Sequence, residues 1–260
     1  MVSTIRTGFA VAVLAAAAAN PATAQTAIGL VGDNTLVVVD VAKATVVRSM
    51  TVDGASKLLG IDLRPKNKLL YGVAPDGTVL TIDVATGKAT KVAKLEATIA
   101  AGTAAIVDFN PAADKLRFMS TDGTNLRADV DTGKVVTDGR LAFEPQDKMP
   151  SGKPNVVAAA YTNSHGKPEK TAMYDIDGSL GALVQQTKPN DGTLRVIGDL
   201  GAGEASTFAF DVHTTAEGVN TAWLVANNTL FKVDLATGKA TKAGAIPNVK
   251  GTIRDIAVLQ

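Results

Sequence analysis

The sequence predicts an all-β chain: a five-bladed β-propeller of four-stranded antiparallel blades, its ring closed by the C-terminal strand joining the N-terminal strands. Three observations carry this prediction. Two short segment types recur at a spacing near 45 residues, a period that marks propeller blades when each unit holds four strands. The strands are runs of Val, Ile, Leu, Thr and Tyr bounded by turns rich in Gly and Asp. The chain also opens on one segment type and closes on the other, as a ring of repeats cut inside one repeat would.

The first segment type reads LGIDLRP at 59–65, IVDFNP at 106–111, AAYTN at 159–163, FAFDVH at 208–213 and IRDIAV at 253–258. The second reads LVVVD at 36–40, VLTID at 79–83, NLRAD at 125–129 and LFKVD at 230–234. Strands at 28–31, 35–41 and 44–52 begin the ring, and residues 252–259 supply the first strand they lack. The clearest unit follows, with strands at 59–63, 69–73, 79–84 and 89–95. Its Pro75-Asp76-Gly77 turn tolerates the positive φ of a tight hairpin, and Gly87 suits the left-handed position of the next turn. The third unit continues through 115–119, 125–130 and 134–141, the fourth through 172–176, 182–186 and 193–200, and the fifth through 222–226, 230–235 and 239–246. Asp62 and Asp108 are 46 residues apart and Asp211 and Asp255 are 44 apart, while the 103 from Asp108 to Asp211 leave room for two repeats and an insertion. That insertion reads as a loop at 143–155 (FEPQDKMPSGKPN), and residues 164–170 extend a turn of the fourth blade. Closure pairs both chain ends and removes an exposed strand edge.

Residues 1–24 read as a signal peptide. Arg6 precedes an apolar run at 9–19 that is too short to span a bilayer, and Ala22-Thr23-Ala24 forms a cleavage signal. The expected product is a single propeller domain, 25–260, starting at Gln25 in the periplasm or outside the cell. Arg6 is the one charge in that segment, so the remainder of the 26 basic residues balances the 25 acidic ones. Neutrality argues against a nucleic-acid or anionic-membrane partner. With no cysteine in the chain, disulfides, thiolate metal sites and thiol nucleophiles are excluded.

The strings GIDLRP at 60–65, LYGVAPDGTVLTIDVATG at 70–87, VDFNPAADKLRFMSTDGTNLRADVDTG at 107–133, AAAYTN at 158–163 and the final IRDIAV resemble the bacterial family called domain of unknown function 4394. The resemblance covers nearly all of the expected mature chain. It implies an exported, propeller-like protein and carries over no catalytic residues. The chain departs from the family pattern in VAKAT at 41–45, which lacks the usual Asp-x-x-Thr-Gly, and at Phe118-Met119, where smaller aliphatics are expected.

Asp62, Asp108, Asp211 and Asp255 read as equivalent first-strand positions, with Tyr161 in the fourth blade. Two residues on stand Arg64, Asn110, Asn163 and His213, with Ala257 in the closing blade. Strand residues two apart share a face, and the first strand lines a propeller's channel. The candidate ligand site is therefore Asp62, Arg64, Asp108, Asn110, Asn163, Asp211 and His213. Asp62, Asp108, Asp211 and Asp255 are the candidate ligands of a hard cation, Ca²⁺ or Mg²⁺ rather than zinc. A structural reading competes: the same acids would accept backbone N–H groups of a neighbouring blade, since buried carboxylates need such partners. Asp40, Asp83, Asp129 and Asp234 precede tight turns and read as acceptors of turn N–H groups, with Gln185-Gln186 in their place in the fourth blade. Arg117 and Arg127, beside Asp114, Asp122 and Asp129, read as a salt-bridged ladder. Tyr71 and Trp223 read as core.

Gly-Lys-Ala-Thr at 87–90 and 238–241 lacks the glycine spacing and following helix of a phosphate loop. His165 and His213 are the only histidines, which excludes a multi-histidine metal site, and no motif pairs either with a serine. The reading is an exported binding or interaction module for a small molecule or envelope protein, a monomer, with no required cofactor although Ca²⁺ suits its acids. The alternative is a hydrolase or lyase using paired carboxylates and a channel-bound divalent cation. That alternative needs an open cleft where carboxylates meet, one of them with a raised pKa. A pure scaffold is the third option, marked by an apolar patch on the rim.

Overall fold

The computed structural model describes residues 25–145 and 152–260. The segment read as a signal peptide and the middle of the 143–155 insertion lie outside the described residues. Blade one begins with β1 (Thr26–Val31), β2 (Thr35–Asp40) and β3 (Thr45–Thr51). Blade two is β4 (Gly60–Arg64), β5 (Leu69–Val73), β6 (Thr78–Ile82) and β7 (Ala89–Lys94). Blade three is β8 (Ala105–Asn110), β9 (Lys115–Ser120), β10 (Asn125–Ala128) and β11 (Val135–Thr137). Next come β12 (Ala142–Phe143) and then the strands of blade four: β13 (Val156–Tyr161), β14 (Met173–Asp177), β15 (Ala182–Lys188) and β16 (Thr193–Asp199). Blade five is β17 (Phe208–Thr214), β18 (Asn220–Ala226), β19 (Thr229–Val233) and β20 (Ala240–Ala245), and β21 (Ile253–Val258) returns to pair with β1. The innermost strands β21, β4, β8, β13 and β17 touch one another in a closed ring. This is the five-bladed propeller that the repeats predict, closed by the C-terminal strand.

Burial falls outward across each blade. In blade two, β4 is buried throughout, while β7 (ATKVAK) is mostly exposed. Lysines on such outer strands discourage edge-to-edge pairing. Between neighbouring blades lie five apolar cores, one at each junction. Tyr71 and Trp223 are buried in two of them, as expected of core residues. The turn aspartates take the predicted role: Asp83 Oδ1 accepts the Ala85 N–H at 2.7 Å, Asp129 Oδ1 that of Asp131 at 2.9 Å, and Asp234 Oδ1 that of Ala236 at 2.8 Å. Gly87 has φ 80°, the left-handed turn position.

One prediction is corrected. Residue 143 belongs to a strand and not to a loop: β12 runs parallel to β16 and adds a fifth strand to blade four. The physical reason is the short outer strand β11, after which the chain crosses to the next blade. Gly139 N–H donates to Asn190 O at 2.8 Å and Ala142 N–H to Gly192 O at 2.9 Å, while Phe143 packs on the core between blades three and four. Only glycine fits at 139, because a Cβ there would run into the Asp191 carbonyl.

Candidate functional site

Strand pairing fixes which inner-strand residues are equivalent. Asp62 pairs with Tyr71 and through it with Thr81; Asp211 does so with Trp223 and Lys232. In blades four and one the same route runs from Ala160 through Tyr174 to Gln185, and from Ala257 through Ile28 to Val38. Thr81, Lys232, Gln185 and Val38 are each the fourth residue of their strand. Asp108 reaches Arg127, which lies two residues before turn Asp129, as Thr81 lies two before Asp83. The equivalent set is therefore Asp62, Asp108, Ala160, Asp211 and Ala257. This corrects the sequence reading: Tyr161 sits one residue too late, Asn163 is three beyond Ala160 instead of two, and Asp255 is two too early. Segment matching aligned Asn163 with Asn110 and Asp255 with Asp211 by residue type, whereas the pairing of β13 and β21, each with one register shift, decides equivalence. The corrected step from Asp211 to Ala257 is 46 residues, the same as from Asp62 to Asp108.

Each acid reaches the next blade. Asp255 Oδ2 accepts the Ile61 N–H at 2.7 Å, Asp62 Oδ2 that of Phe109 at 2.6 Å, Asp108 Oδ1 that of Tyr161 at 2.9 Å, and Asp211 Oδ2 that of Val258 at 2.5 Å. Where the preceding blade offers no acid at the right height, the N–H after an aspartate folds back onto that aspartate. Leu63 bonds Asp62 Oδ1 at 2.6 Å, Val212 bonds Asp211 Oδ1 at 2.6 Å and Ile256 bonds Asp255 Oδ1 at 3.0 Å. The Phe109 N–H is already taken by Asp62, so Asp108 accepts one backbone N–H where the other three accept two.

Asp62, Asp108 and Asp211 are buried, and one oxygen of each lies within 4.8 Å of the others. Asp255, displaced along the channel, is outside this set. Burial, and then the charge of Asp211, push Asp62 well above the carboxylate range. Burial followed by Asp62 and Asp211 does the same to Asp108. Burial raises Asp211 to about 6 and Asp255 to about 7, although Asp255 keeps some accessible surface. Three charges this close in a low dielectric repel strongly. A proton or a cation relieves them, and oxygens sharing one Ca²⁺ at about 2.3–2.6 Å can stand this far apart.

The other predicted site residues do not join the acids. Arg64 turns toward the blade two–three junction, where it bonds Asp114 and Asp131 at 2.7 Å and the Tyr71 hydroxyl at 3.2 Å. Asn110 Oδ1 accepts the Ala112 and Ala113 N–H groups of its own turn. Asn163, at φ 60°, exchanges hydrogen bonds with Asn220. His213 is half-buried, and burial followed by His165 lowers its pKa. The predicted arginine ladder is also corrected. Arg117 and Arg127 face each other, but both bond Asp138 (2.6 and 3.0 Å) and not Asp114, Asp122 or Asp129. Those acids are taken by Arg64, Ser120 and Lys115.

Two features carried no local sequence signal. Asp175 is fully buried beside Gln186, accepts its Nε2–H at 2.9 Å, and is raised to about 7 by burial. Three residues before the acid position stand Leu59, Ala105 and Phe208 and, at the register shifts of β13 and β21, Val157 and Arg254. All five line one cavity of about 460 Å³, which is the mouth of the channel at the N-terminal ends of the inner strands.

Ring closure, interblade aspartates and a channel mouth walled by every blade define a five-bladed β-propeller. The sequence pattern of the family described as "Domain of unknown function (DUF4394)" matches residues 35–257. The chain belongs to that family. No curated relative matches it. Among solved structures, a protein of unknown function from Bacteroides thetaiotaomicron aligns with a TM-score of 0.54 at 18% identity, over 88% of this chain and 63% of that one. A protein of unknown function from Bacteroides caccae aligns with a TM-score of 0.46 at 9% identity, over 92% of this chain and 100% of that one. An auxiliary nutrient binding protein from Bacteroides thetaiotaomicron aligns at 0.44 and 12% identity, over 83% of this chain and 58% of that one. The first of these likenesses shows a shared fold.

Proposed function

We propose that the protein is an exported propeller binding module built around a channel cation site, with Asp62, Asp108 and Asp211 holding a divalent cation, Ca²⁺ in the first instance. The observation that carries this reading is the approach of three buried carboxylates within 4.8 Å of one another. An oxygen-only donor set suits a hard cation, and Asp108, with one backbone N–H, has most capacity left for it. Export rests on the signal-like pattern of residues 1–24. Binding is favoured over turnover because the acids are buried and tied to backbone, where a hydrolase or lyase needs carboxylates in an open cleft.

Thermal unfolding of the purified protein in EDTA, and then in millimolar Ca²⁺, tests the reading. A ligand that binds only the folded state stabilises it by about 2.7 kcal/mol at a hundredfold excess over Kd. In a chain of this size that raises Tm by roughly 5–11 °C. The rise is expected in the native sequence and absent in Asp62→Asn and Asp108→Asn. No rise with Ca²⁺, Mg²⁺ or Mn²⁺ would remove the cation and leave the acids their interblade bonds alone.

A further inference from the structure

The cavity at the channel mouth differs in chemistry from the acid layer, which lies three residues, roughly 10 Å, further along the strands. We propose that it is a binding site for a small monocarboxylate with a short apolar body. Each blade gives its wall one inner-strand residue near this level: Leu59, Ala105, Val157 and Phe208 are apolar and Arg254 is basic. Its volume, about 460 Å³, falls within the range of small-molecule sites.

Arg254 is held in the wall by three backbone carbonyls. Its Nε donates to Gly32 O at 2.7 Å, Nη1 to Leu59 O at 2.7 Å and Nη2 to Leu58 O at 2.5 Å. A guanidinium has five N–H groups. These three bonds leave one N–H on each terminal nitrogen for a ligand oxygen. All three acceptors are neutral carbonyls, and among the described residues no carboxylate forms an ion pair with Arg254. Burial lowers its pKa, against the opposing charges of Asp255 and Asp33. The wall holds two cations, Arg254 and Lys57, against one acid, Asp33, and Lys57 and Asp33 pair with each other at 3.2 Å. Arg254 is the lining cation left without a salt bridge, and Asp255 offsets part of its charge, which suits a monoanion better than a phosphate dianion.

The site goes beyond the cation reading and is tested in EDTA, so that either can fail alone. Hexanoate is titrated into the native protein by calorimetry, beside hexanamide, which has the same shape without the charge, and inorganic phosphate. Hexanoate is expected to bind saturably, and hexanamide about tenfold or more weakly, since a charge-assisted pair is replaced by a neutral one. Arg254→Gln is expected to abolish the preference for hexanoate. Because Arg254 also ties three carbonyls, Ala105→Phe, which fills the cavity from the opposite wall, serves as the second variant and is expected to abolish binding while its melting curve stays cooperative. The proposal is overturned if hexanoate does not saturate, if hexanamide binds equally well, if phosphate binds more tightly, or if folded Ala105→Phe binds hexanoate like the native protein.

Discussion

The junction between blades four and five is built differently from the other four. Asp255, Asp62, Asp108 and Asp211 each carry a bond from their own blade to a backbone N–H of the next. At the fourth-to-fifth junction the equivalent residue is Ala160, fully buried among Phe208, Phe210, Leu224 and other apolar side chains. There the polar contact moves to the strand ends. Asn163 and Asn220 bond each other at 2.8 Å in both directions, and the Ser164 N–H reaches Thr214 Oγ1 at 2.8 Å. An acid is thus one way to close a junction, and an apolar core with a polar lock at its end is another. The difference has a consequence in the channel: with alanine at 160 and 257, three carboxylates share one level instead of five.

The largest expected effect comes from removing an interblade acid. Asp62→Ala strips the acceptor from two N–H groups, those of Leu63 and Phe109. It is expected to cost about 3 kcal/mol, a Tm fall of roughly 6–12 °C. Both substitutions relieve repulsion among the channel acids, but Asp108→Ala strands only one N–H, that of Tyr161. Its cost in EDTA is expected to be half as large or less. Urea titrations of both variants in EDTA measure this, and equal costs would show that the count of stranded N–H groups does not set the stability of a junction.

The pH dependence in EDTA sharpens the same contrast, because the raised acids cluster at the acid-closed junctions. An unfolded aspartate titrates near 3.8, whereas Asp211 is raised to about 6 and Asp255 and Asp175 to about 7, with Asp62 and Asp108 shifted the same way. Between these values the folded state holds protons that the unfolded state has released. The contribution is therefore present below pH 4 and lost as pH climbs through 6 to 7. Asp122 and Asp129, lowered to about 2 by hydrogen bonds from Ser120 and Lys115, act oppositely but below pH 4. Tm in EDTA is expected to fall by several degrees from pH 5 to pH 8, and Ca²⁺ to flatten the fall by replacing the displaced protons. A flat profile in EDTA would mean that the acids ionise freely inside the ring.

These contrasts also mark how far the sequence could be read. Blade number, ring closure, the turn roles of Asp83, Asp129 and Asp234, and the meeting of Asp62, Asp108 and Asp211 were all legible, because each follows from local strand and turn chemistry repeated at a period. The role of Ala160 was not. AAYTN looks like the other first segments, and only strand pairing, Ala160 with Tyr174 and Tyr161 with Met173, moves Tyr161 off the acid position. Asp255 pairs with Leu30, two residues from the Ala257–Ile28 pair that marks that position. Arg64 and Arg117 were legible as cations but not by partner, since Asp131 and Asp138 come from turns and outer strands that only the blade packing brings near. Arg254 carried no signal in the sequence, because only ring closure brings it into one cavity with Leu59, Ala105, Val157 and Phe208.

The smallest expected effect is at the junction that lacks the acid. Asn220→Ala removes the acceptor of the Asn163 N–H and the Thr214 hydroxyl, and the donor to Asn163 Oδ1. Three bonds are lost, one more than in Asp62→Ala, yet the expected cost is about 1 kcal/mol, roughly 2–4 °C in Tm. Asn163 and Asn220 are partly exposed, so water replaces what Asn163 loses and only the buried Thr214 hydroxyl goes without, whereas both N–H groups left by Asp62 are buried and find no substitute. The junction also keeps its apolar core and its rim bond, Ala240 N–H to Leu200 O at 2.8 Å. A cost equal to that of Asp62→Ala would mean that the polar lock closes this junction as the acids close theirs, and that the packing of Phe208 and Phe210 around Ala160 contributes less than its burial implies.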